Sequence, residues 1–357
     1  MQLTKIMKCV TWNVSFLKAS HSAPRSRCRP LITIDVDDED PHTLDSDFPQ
    51  TPPRRTWTTL DSETRIQALI LAHNPDVIAL QESPYEKWGT EIFGPYGYFS
   101  VGTVQSHCYF VDLMVKNNIS NNSNFNSNSN SNSNREESNA DVTRILTRTA
   151  LPCVAARVKL QGGDCDGNGD GNGKEICFAS CHLEPFGDKA DKAKRLEQMS
   201  NIIESLFDHT DNYIILGDMN MRQDEDKRVK GLINGHGHEH GHGHGRPGLL
   251  RDAWEEKGTK NNKFTWNSRD NKFHEGGFAY TTRYDRAYCH GDDLEVQSFG
   301  LVGNQPLVDE EGGGKHHFLS DHYGIVADFG IRIGGEQKLK SSSPKKKRAR
   351  TKGNGDD

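Results

Sequence analysis

The sequence predicts an α/β protein in which two packed sheets are covered by outer helices. The first observation is a set of short apolar runs, typical of buried strands, that end in polar residues. The clearest is Ile214–Leu216, which is followed by Gly217 and Asp218. The second observation is that helical and strand patterns alternate, both before Glu82 and before Asp218. Helices that alternate with strands in this way cover the faces of sheets.

The chain up to residue 115 is predicted to contain four strands and one helix. Ile66, Leu69 and Ile70 have helical spacing, and Asn74-Pro75 ends that helix. One strand delivers Asn13 at its end, and another leads directly to Glu82. The predicted strands cover residues 6–14, 76–81, 98–104 and 108–115, and the helix covers residues 62–73.

The strongest helix signal lies between Lys189 and Phe207. This segment follows the strand that ends at His182 and precedes the strand that ends at Asp218. Its apolar residues form one stripe at helical spacing, as in a helix that packs on a sheet. The predicted stripe consists of Ala193, Leu196, Met199, Ile203 and Leu206.

Four low-complexity segments interrupt this pattern, near residues 18–55, 117–139, 162–173 and 235–245. Their composition cannot bury an apolar core, so we expect solvated insertions, with an acidic interaction motif as the alternative for the first. The His/Gly run in the fourth could bind a transition metal, but incidental metal binding is the simpler interpretation. We predict one folded domain over residues 1–333 and a disordered basic tail over residues 334–357.

The composition argues against a membrane or secreted protein. No window approaches the ~20 apolar residues that a membrane span needs, and residues 1–8 lack the apolar region of a secretory signal. The eight cysteines include no Cys-x-x-Cys pair, which favours free thiols in a reducing compartment. Cys177 and Cys181 alternate with Ala179 along one predicted strand, as small core residues do.

The positive charge is concentrated in the tail. The whole chain has a formal charge of −6, and eight Lys and Arg residues lie between Lys338 and Lys352, so the rest carries −14. Any contact between the body and nucleic acid must therefore come from a local groove. Residues 344–350 (PKKKRAR) are typical of a monopartite nuclear-import signal, with a solubilising tail as the alternative. We expect a nuclear protein that an import receptor recognises.

The polar residues after Leu216 have the chemistry that phosphate recognition requires. Asp218 and Asn220 are two residues apart, which places both side chains on one face of an extended chain. A carboxylate beside an amide, followed by Arg222, can position a water molecule and grip phosphate oxygens. A strand end that runs into an Asx turn is the alternative for this stretch alone.

Five segments, in this order, resemble the motifs of the endonuclease/exonuclease/phosphatase superfamily of metal-dependent phosphoesterases. They are TWN at 11–13, LQE at 80–82, SCHLE at 180–184, GDMNMR at 217–222 and SDH at 320–322. DAW at 252–254, FTW at 264–266 and RYDR at 283–286 look like the 5′-tyrosyl-DNA phosphodiesterases within it. The resemblance covers roughly residues 6–330. It implies a four-layer α/β sandwich of two mixed sheets flanked by helices, with residues 1–333 as its catalytic domain.

The resemblance also implies roles for the polar residues at the strand ends. Glu82 would be the main protein ligand of Mg²⁺, or of Mn²⁺ as a substitute, with a buried structural Glu as the alternative. Asp218 would orient and deprotonate the attacking water. Asn220 and Asn13 would donate hydrogen bonds to the phosphoryl group.

Two histidines complete the implied site. His322, next to Asp321, would stabilise the oxyanion, and Asp285 resembles the aspartate that orients this histidine in the family. His182 would be a second phosphate-binding imidazole. A lone histidine at a strand end is more often structural, and the ordered motifs are what favour catalysis here.

Four further residues are predicted to contact DNA. Arg222 suits a phosphate contact, and Trp266 and Tyr284 match aromatic positions that line the DNA channel in the family. Tyr109 is a stacking candidate that could equally be ordinary core.

The chain departs from the animal members of the family at two positions beside these motifs. Ser15 stands where they have an acidic residue, so the surroundings of the metal are expected to differ. Pro185 stands where the family often has Ser, which puts one phosphate contact in doubt.

The leading hypothesis is a nuclear, monomeric, Mg²⁺-dependent phosphodiesterase that removes tyrosine or a peptide from a DNA 5′ phosphate. Adducts left by topoisomerase 2 would be its substrates, and DNA repair its role. One alternative keeps the chemistry on another substrate, as in an abasic-site endonuclease, an RNA deadenylase or a lipid or inositol phosphatase. The other is a non-catalytic nucleic-acid-binding scaffold, which need not keep Asn13, Glu82, Asp218, Asn220 and His322.

Overall fold

A computed structural model describes ten stretches of the chain. They cover residues 3–15, 59–107, 109–119, 142–145, 151–160, 173–236, 250–271, 273, 279–308 and 316–333. The predicted tail, the first insertion and most of the other three insertions lie outside the described residues.

The described residues form sixteen strands and five α-helices, together with 3₁₀ turns at Gly94–Tyr96 and Lys260–Asn262. Most of the long elements match the sequence predictions within a few residues. In chain order they are β1 (Leu3–Asn13), α1 (Thr59–Ala72), β2 (Val77–Ser83), α2 (Trp88–Phe93), β3 (Tyr98–Ser106), β4 (Tyr109–Lys116), β5 (Val142–Ile145), β6 (Cys153–Leu160), β7 (Lys174–His182), α3 (Lys189–Phe207), β8 (Tyr213–Asp218), α4 (Gln223–His236), β9 (Arg251–Asp252), α5 (Ala253–Lys257), β10 (Trp266–Asn267), β11 (Thr281–Thr282), β12 (Asp285–His290), β13 (Leu294–Val302), β14 (Leu307–Val308), β15 (His316–His317) and β16 (Gly324–Ile333).

Two six-stranded sheets form the centre of the fold. The first has the order β13-β16-β1-β2-β4-β3, and the second has the order β5-β6-β7-β8-β12-β9. Both are mixed, because β1 pairs with β2 and β7 pairs with β8 in parallel while the other neighbours are antiparallel. The sheets are therefore of the predicted kind.

Three hydrophobic clusters define four layers. One cluster lies between the sheets and contains residues of both, among them Val77 and Ala79 from β2 and Ile214 and Leu216 from β8. The alternate residues of the same strands face outward, since Ile78 and Leu80 pack with α1 and α2 and Ile215 packs with α3 and α4. This period of two follows from the pleat of a strand that is buried on both faces. The predicted four-layer sandwich is confirmed.

Two details of the helix predictions are corrected. Ala193 is exposed, whereas Arg195 is fully buried with Met199, because the buried face of α3 is rotated from the predicted stripe. The helix α4 was not predicted, and it ends at His236, so the first two residues of the 235–245 segment are helical.

The described cysteines behave as predicted. Cys9, Cys153, Cys177, Cys181 and Cys289 are buried free thiols within the sheets. Burial raises the pKa of the Cys181 thiol well above its usual value, so this sulfur is an inert core group. Each described helix is too short or too polar to cross a membrane.

Candidate active site

The centre of the second sheet presents three reactive side chains at one level. In the strand register, His182 at the end of β7 lies opposite Asp218 of β8, and Asp285 of β12 lies on the other side of Asp218. All three side chains are at least nine-tenths buried. The predicted residues His182, Asp218 and Asp285 therefore meet because β7 and β8 end, and the antiparallel β12 begins, at the same level of the sheet.

Gly217 is required where β8 approaches β7. Its backbone φ is +142°, a conformation open to glycine, and a Cβ there would overlap the carbonyl oxygen of Cys181. The glycine therefore permits the close packing that places Asp218 beside His182.

The first sheet supplies Asn13 and Glu82 from the ends of β1 and β2. The Asn13 side-chain amide donates hydrogen bonds to Glu82 Oε1 at 3.2 Å and to Asp218 Oδ2 at 3.0 Å. Glu82 has a φ of +57°, which is unusual for a residue with a side chain. Strained backbone of this kind costs about 1–3 kcal/mol and is concentrated at functional sites. The Asn13 amide thus joins carboxylates from both sheets.

His322 is held on the opposite side of Asp218. Its Nδ1 atom lies 2.9 Å from Asp285 Oδ2, and its Nε2 atom lies 3.8 Å from Asp218 Oδ2. Burial by itself would lower the pKa of His322, but the carboxylates of Asp285 and Asp218 outweigh it and raise the pKa to about 10. These carboxylates therefore favour the imidazolium form of His322, and the bond to Asp285 fixes its ring orientation.

Asp321 accepts a hydrogen bond from Ser15, and its charge adds to the raised pKa of His322. The hydroxyl of Ser15 donates to Asp321 Oδ1, and the Ser320 hydroxyl donates to the Asn13 carbonyl oxygen at 2.7 Å. Asp285, not Asp321, orients His322, as the resemblance implied. Ser15 therefore tethers the turn that carries His322.

His182 faces both carboxylates of the site. Its Nε2 atom lies 3.7 Å from Asp218 Oδ2 and 3.9 Å from Glu82 Oε1, and its Nδ1 atom lies 3.4 Å from the Ser106 hydroxyl. Ser106 pairs with Tyr109 across the β3–β4 hairpin. This pairing puts the half-buried Tyr109 at the hairpin next to His182, and its stacking role stays a prediction.

The segment after Asp218 turns sharply. The Asn220 backbone N–H donates to Asp218 Oδ1 at 2.8 Å, and Asn220 has a φ of +50°. Its side-chain amide donates to the Leu183 carbonyl oxygen at 3.0 Å, so one amide hydrogen and the Oδ1 atom are left for a ligand. Arg222 follows as an exposed side chain beside Gly187.

Aromatic side chains form a wall beside His322. The Trp266 ring lies 4.9 Å from the His322 ring and 5.9 Å from the Tyr284 ring, and a backbone bridge joins Trp266 to His322. Tyr280 stacks on Trp266 at 5.9 Å, and its hydroxyl lies 3.3 Å from the Tyr284 hydroxyl. Burial raises the pKa of the Tyr284 hydroxyl, and Tyr280 raises it further. The positive charge of Arg222 lowers it, so the Arg222 guanidinium interacts electrostatically with this aromatic wall.

Tyr280 was not predicted, although a signal was present. It lies four residues before Tyr284, and an even spacing puts two side chains on one face of an extended segment. Its side chain is 39% exposed, so it forms the outer edge of the wall.

The arginines of the RYDR motif are structural. Arg283 and Arg286 donate to the two carboxylate oxygens of Asp252 at 2.8 and 3.1 Å, and Asp226 also lies within reach of both. Arg283 also lies 4.5 Å over the Trp254 ring. The DAW and RYDR motifs thus form one buried network, and these arginines together with Lys230 compensate the acidic cluster of Asp226, Asp252 and Glu255.

The site can hold a divalent cation. Glu82 supplies a carboxylate at the meeting point of the sheets, and among the described residues the Asn13 Oδ1 atom is buried without a hydrogen-bond partner. Hard cations prefer such oxygen ligands. A tighter group of possible ligands is Asp218, Asp285 and His322, but the 2.9 Å bond to Asp285 commits the histidine to that carboxylate. Glu82 with Asn13 is the better fit.

A two-sheet sandwich with acidic and imidazole groups at the strand ends is typical of phosphoesterases, and the family model agrees. The model of the endonuclease/exonuclease/phosphatase family matches residues 10–322, so the chain belongs to this family.

The similar curated proteins share one activity in their names. Tyrosyl-DNA phosphodiesterase 2 of Xenopus laevis is 26% identical over 167 residues, which cover 45% of this chain and 39% of that protein. The 5′-tyrosyl-DNA phosphodiesterase of Caenorhabditis elegans is 32% identical over 114 residues, 32% of this chain and 25% of that protein. The matched region thus spans two fifths or less of these relatives' length.

Solved structures agree with the fold over most of the chain. D. rerio TDP2, solved with a single strand DNA product, has a TM-score of 0.53 at 16% identity and covers 91% of this chain and 99% of that one. An endonuclease/exonuclease/phosphatase family protein of Bacteroides thetaiotaomicron has a TM-score of 0.55 at 12% identity. The match covers 92% of this chain and 99% of that protein. At these identities the comparison supports the four-layer fold alone.

Proposed function

We propose that the chain is a Mg²⁺-dependent 5′-tyrosyl-DNA phosphodiesterase that releases tyrosine or a peptide from a DNA 5′ phosphate. The observation that carries the proposal is the constellation of Asn13, Glu82, Asp218 and His322 with the aromatic wall directly beside it. The names of the similar proteins support the same substrate. Adducts left by topoisomerase 2 are the expected source, with DNA repair as the role.

The chain's own residues account for the attack on phosphorus. Asp218 accepts hydrogen bonds from Asn13 and from the Asn220 backbone, so its carboxylate is fixed and can orient a water molecule and take its proton. The water oxygen bonds to phosphorus, and the bond from phosphorus to the tyrosine oxygen breaks. A phenol has a pKa of about 10, so the departing phenolate needs little help from a general acid.

Positive and hydrogen-bonding groups stabilise the charge that develops on the phosphoryl oxygens. The His322 imidazolium is fixed by Asp285, and His182 lies across the Asp218 carboxylate from it. Donors that are oriented before the reaction stabilise developing charge without reorganisation. Glu82 and the Asn13 oxygen would hold Mg²⁺, or Mn²⁺ as a substitute, which when bound neutralises phosphate charge.

The aromatic wall and Arg222 favour a single-stranded DNA end over a small phosphate ester. Trp266, Tyr280 and Tyr284 offer ring faces to unpaired bases, and the Arg222 guanidinium suits the phosphate backbone. Hydrolysis of a small phosphate ester would not require these aromatic side chains.

The direct test is turnover of an oligonucleotide with a 5′-phosphotyrosine, with an abasic duplex and the matching RNA as comparators. We expect release of tyrosine from the DNA in Mg²⁺ and little reaction on the abasic duplex. Trp266→Ala should lower kcat/KM on the tyrosyl DNA by roughly tenfold to a hundredfold, because stacking is worth about 1–3 kcal/mol per base. A nitrophenyl phosphodiester should be affected much less. Faster cleavage of the abasic duplex or of RNA would replace the proposed substrate.

We also propose that the protein is nuclear and acts as a monomer. The support for nuclear import is the PKKKRAR segment of the tail, which lies outside the described residues. A fluorescent fusion without residues 338–357 should lose nuclear accumulation, while turnover of short DNA by the truncated protein stays nearly unchanged. Nuclear accumulation of the truncated fusion would contradict the import signal, and a dimer mass in solution would contradict the monomer.

A further inference from the structure

Phe186 is an exposed aromatic side chain in a constrained conformation. It lies in the Pro185–Gly187 segment between β7 and α3, its side chain is 79% exposed, and its φ is +75°. A bulky residue with positive φ is uncommon and persists only when its surroundings fix it. A single exposed phenylalanine needs no explanation, but an exposed phenylalanine in a strained conformation does.

Arg195 fixes the backbone of the segment that carries Phe186. The fully buried Arg195 guanidinium donates to the carbonyl oxygens of Glu184 at 2.9 Å and of Phe186 at 2.8 Å, and it also binds Glu225. Asp188 then caps α3. Phe186 is therefore presented to solvent from a rigid support.

The Pro185–Gly187 segment lies next to Asn220 and Arg222, two residues proposed to bind phosphate. Asn220 donates to the carbonyl oxygen of Leu183, and the Arg222 side chain lies so close to Gly187 that a Cβ at Gly187 would meet Nη2 at 3.0 Å. Glu225, the partner of Arg195, also accepts from the Arg222 backbone N–H at 3.1 Å. One buried ion pair thus positions both the exposed aromatic ring and the exposed guanidinium.

We propose that Phe186 and Arg222 form a subsite for one nucleotide of an unpaired strand, with the base stacked on Phe186 and its phosphate on Arg222. The proposal rests on the proposed function and extends it to a contact beside Arg222, in addition to those of Trp266 and Tyr284. A nucleotide is favoured over a peptide because the ring stands beside a guanidinium, and only a nucleotide offers a planar base next to an anionic phosphate.

The test compares Phe186→Ala, Phe186→Leu and Phe186→Tyr with Phe207→Ala. Phe207 is the matched control, because it is also exposed (39%) and lies at the opposite end of α3, about 28 Å from the start of that helix. Two measurements are made with the full chain: kcat/KM on 5′-phosphotyrosyl DNA of one and of five nucleotides, and binding of a fluorescent 5′-phosphorylated pentanucleotide.

Phe186→Ala and Phe186→Leu should each lower kcat/KM on the pentanucleotide, and its binding, by roughly fivefold to a hundredfold. The single nucleotide should be affected much less. Phe186→Tyr should keep the wild-type kcat/KM and binding, because tyrosine retains the ring face. Phe207→Ala should match wild type in both measurements.

Three results would overturn the subsite. They are unchanged pentanucleotide binding in Phe186→Ala, full retention in Phe186→Leu, and an equal loss of kcat/KM on the single nucleotide and on the pentanucleotide. Absence of turnover by the wild-type protein would instead count against the proposed function, and the binding measurement would still decide the subsite.

Discussion

The charge of His322 depends most strongly on Asp285, and Asp218 adds to the effect. Asp285 is fully buried, and its backbone N–H donates to the Thr265 hydroxyl at 3.0 Å, so its carboxylate is held against the imidazole. A buried imidazole without such a partner would lose its proton, because burial disfavours the charged form. Asp285 is therefore a positioning residue that also maintains the positive charge near the phosphoryl site.

Asp285→Asn should lower kcat by about 10²–10⁴ with little change in KM. In the wild-type protein the imidazolium is lost as pH rises through the raised pKa of about 10. Without the Asp285 charge this pKa falls, so the alkaline decline of kcat should begin at lower pH in the variant. The measurement is a pH–rate profile beside Asp211→Asn, an exposed acid at the far end of β8. An unmoved alkaline limb would show that Asp285 does not set the charge of His322.

Gly217 offers a test of the backbone at the site. Gly217→Ala should destabilise the fold by about 2–4 kcal/mol, because φ is +142° and the new methyl group overlaps the Cys181 carbonyl oxygen. Gly231→Ala is the matched control, since nothing lies within 4 Å of its Cβ position in α4. This control should be neutral or more stable by about 0.5–1 kcal/mol. Urea unfolding of both variants measures the difference, and equal effects would contradict the requirement for glycine.

Residues at strand ends were predictable, and their long-range partners were not. Asn13, Glu82, His182 and Asp218 stand out because each lies at the end of an apolar run, and parallel strands deliver such residues to one edge, whereas Asp285 was indicated only by the RYDR motif. The hydrogen bond from Ser15 to Asp321 joins positions 306 residues apart, and no local pattern indicates it. Sequence position suggested Asp321 as a neighbour of His322, but the turn directs its carboxylate toward Ser15.

Two ion pairs of different kinds join α3 to α4. Arg195 and Glu225 are buried and paired twice, at 2.8 and 3.1 Å, whereas Lys192 and Asp224 are paired at 2.8 Å in solvent. Removing one partner of a buried pair leaves an uncompensated charge, which an exposed pair avoids because water solvates the remaining group. The buried pair therefore fixes α3 against α4. It also fixes the backbone at Glu184–Phe186, through Arg195, and at Arg222, through Glu225.

Arg195→Met should lower the free energy of unfolding by about 3–5 kcal/mol. Lys192→Met, which removes the exposed pair between the same helices, should cost about 1 kcal/mol or less. Chemical denaturation of both variants gives the comparison. Similar small losses in the two would mean that Arg195 does not hold the loop through its charge.

The helix α3 shows what periodicity predicts and what it misses. Its boundaries were predicted because the segment is long and amphipathic. The position of Arg195 was missed, although it lies four and seven residues before Met199 and Ile202 on the same buried face. The helix α4 carries Asp224, Glu225 and Asp226 in its first turn, a usual helix-start signal, but few apolar residues follow. Apolar packing by Val229 and Leu232 and the ion pairs of Glu225 and Asp226 together fix it.

At the scale of the whole molecule, the site exists only where the two sheets meet. The first sheet and its loops supply Asn13, Glu82 and His322, and the second supplies His182, Asp218 and Asp285. Neither half contains both the proposed cation ligands and the group that would activate water. The inter-sheet core must therefore be intact for the Asn13 amide to reach both Glu82 and Asp218.

This arrangement predicts that Mg²⁺ stabilises the folded chain through Glu82. A cation that binds only the folded state adds about 2.7 kcal/mol when its concentration is a hundred times its Kd, so the Tm should rise with Mg²⁺. Glu82→Gln keeps the oxygen that accepts from Asn13 but removes the charge. It should therefore unfold near the wild-type temperature without metal and should lose the Mg²⁺-dependent rise.

Glu255→Gln is the control from the second acidic cluster, where Lys230, Arg283 and Arg286 already compensate the carboxylates, and it should respond to Mg²⁺ as wild type does. Thermal unfolding over a Mg²⁺ series measures the response without any substrate. A full response in Glu82→Gln, or a lost response in Glu255→Gln, would move the cation away from Glu82.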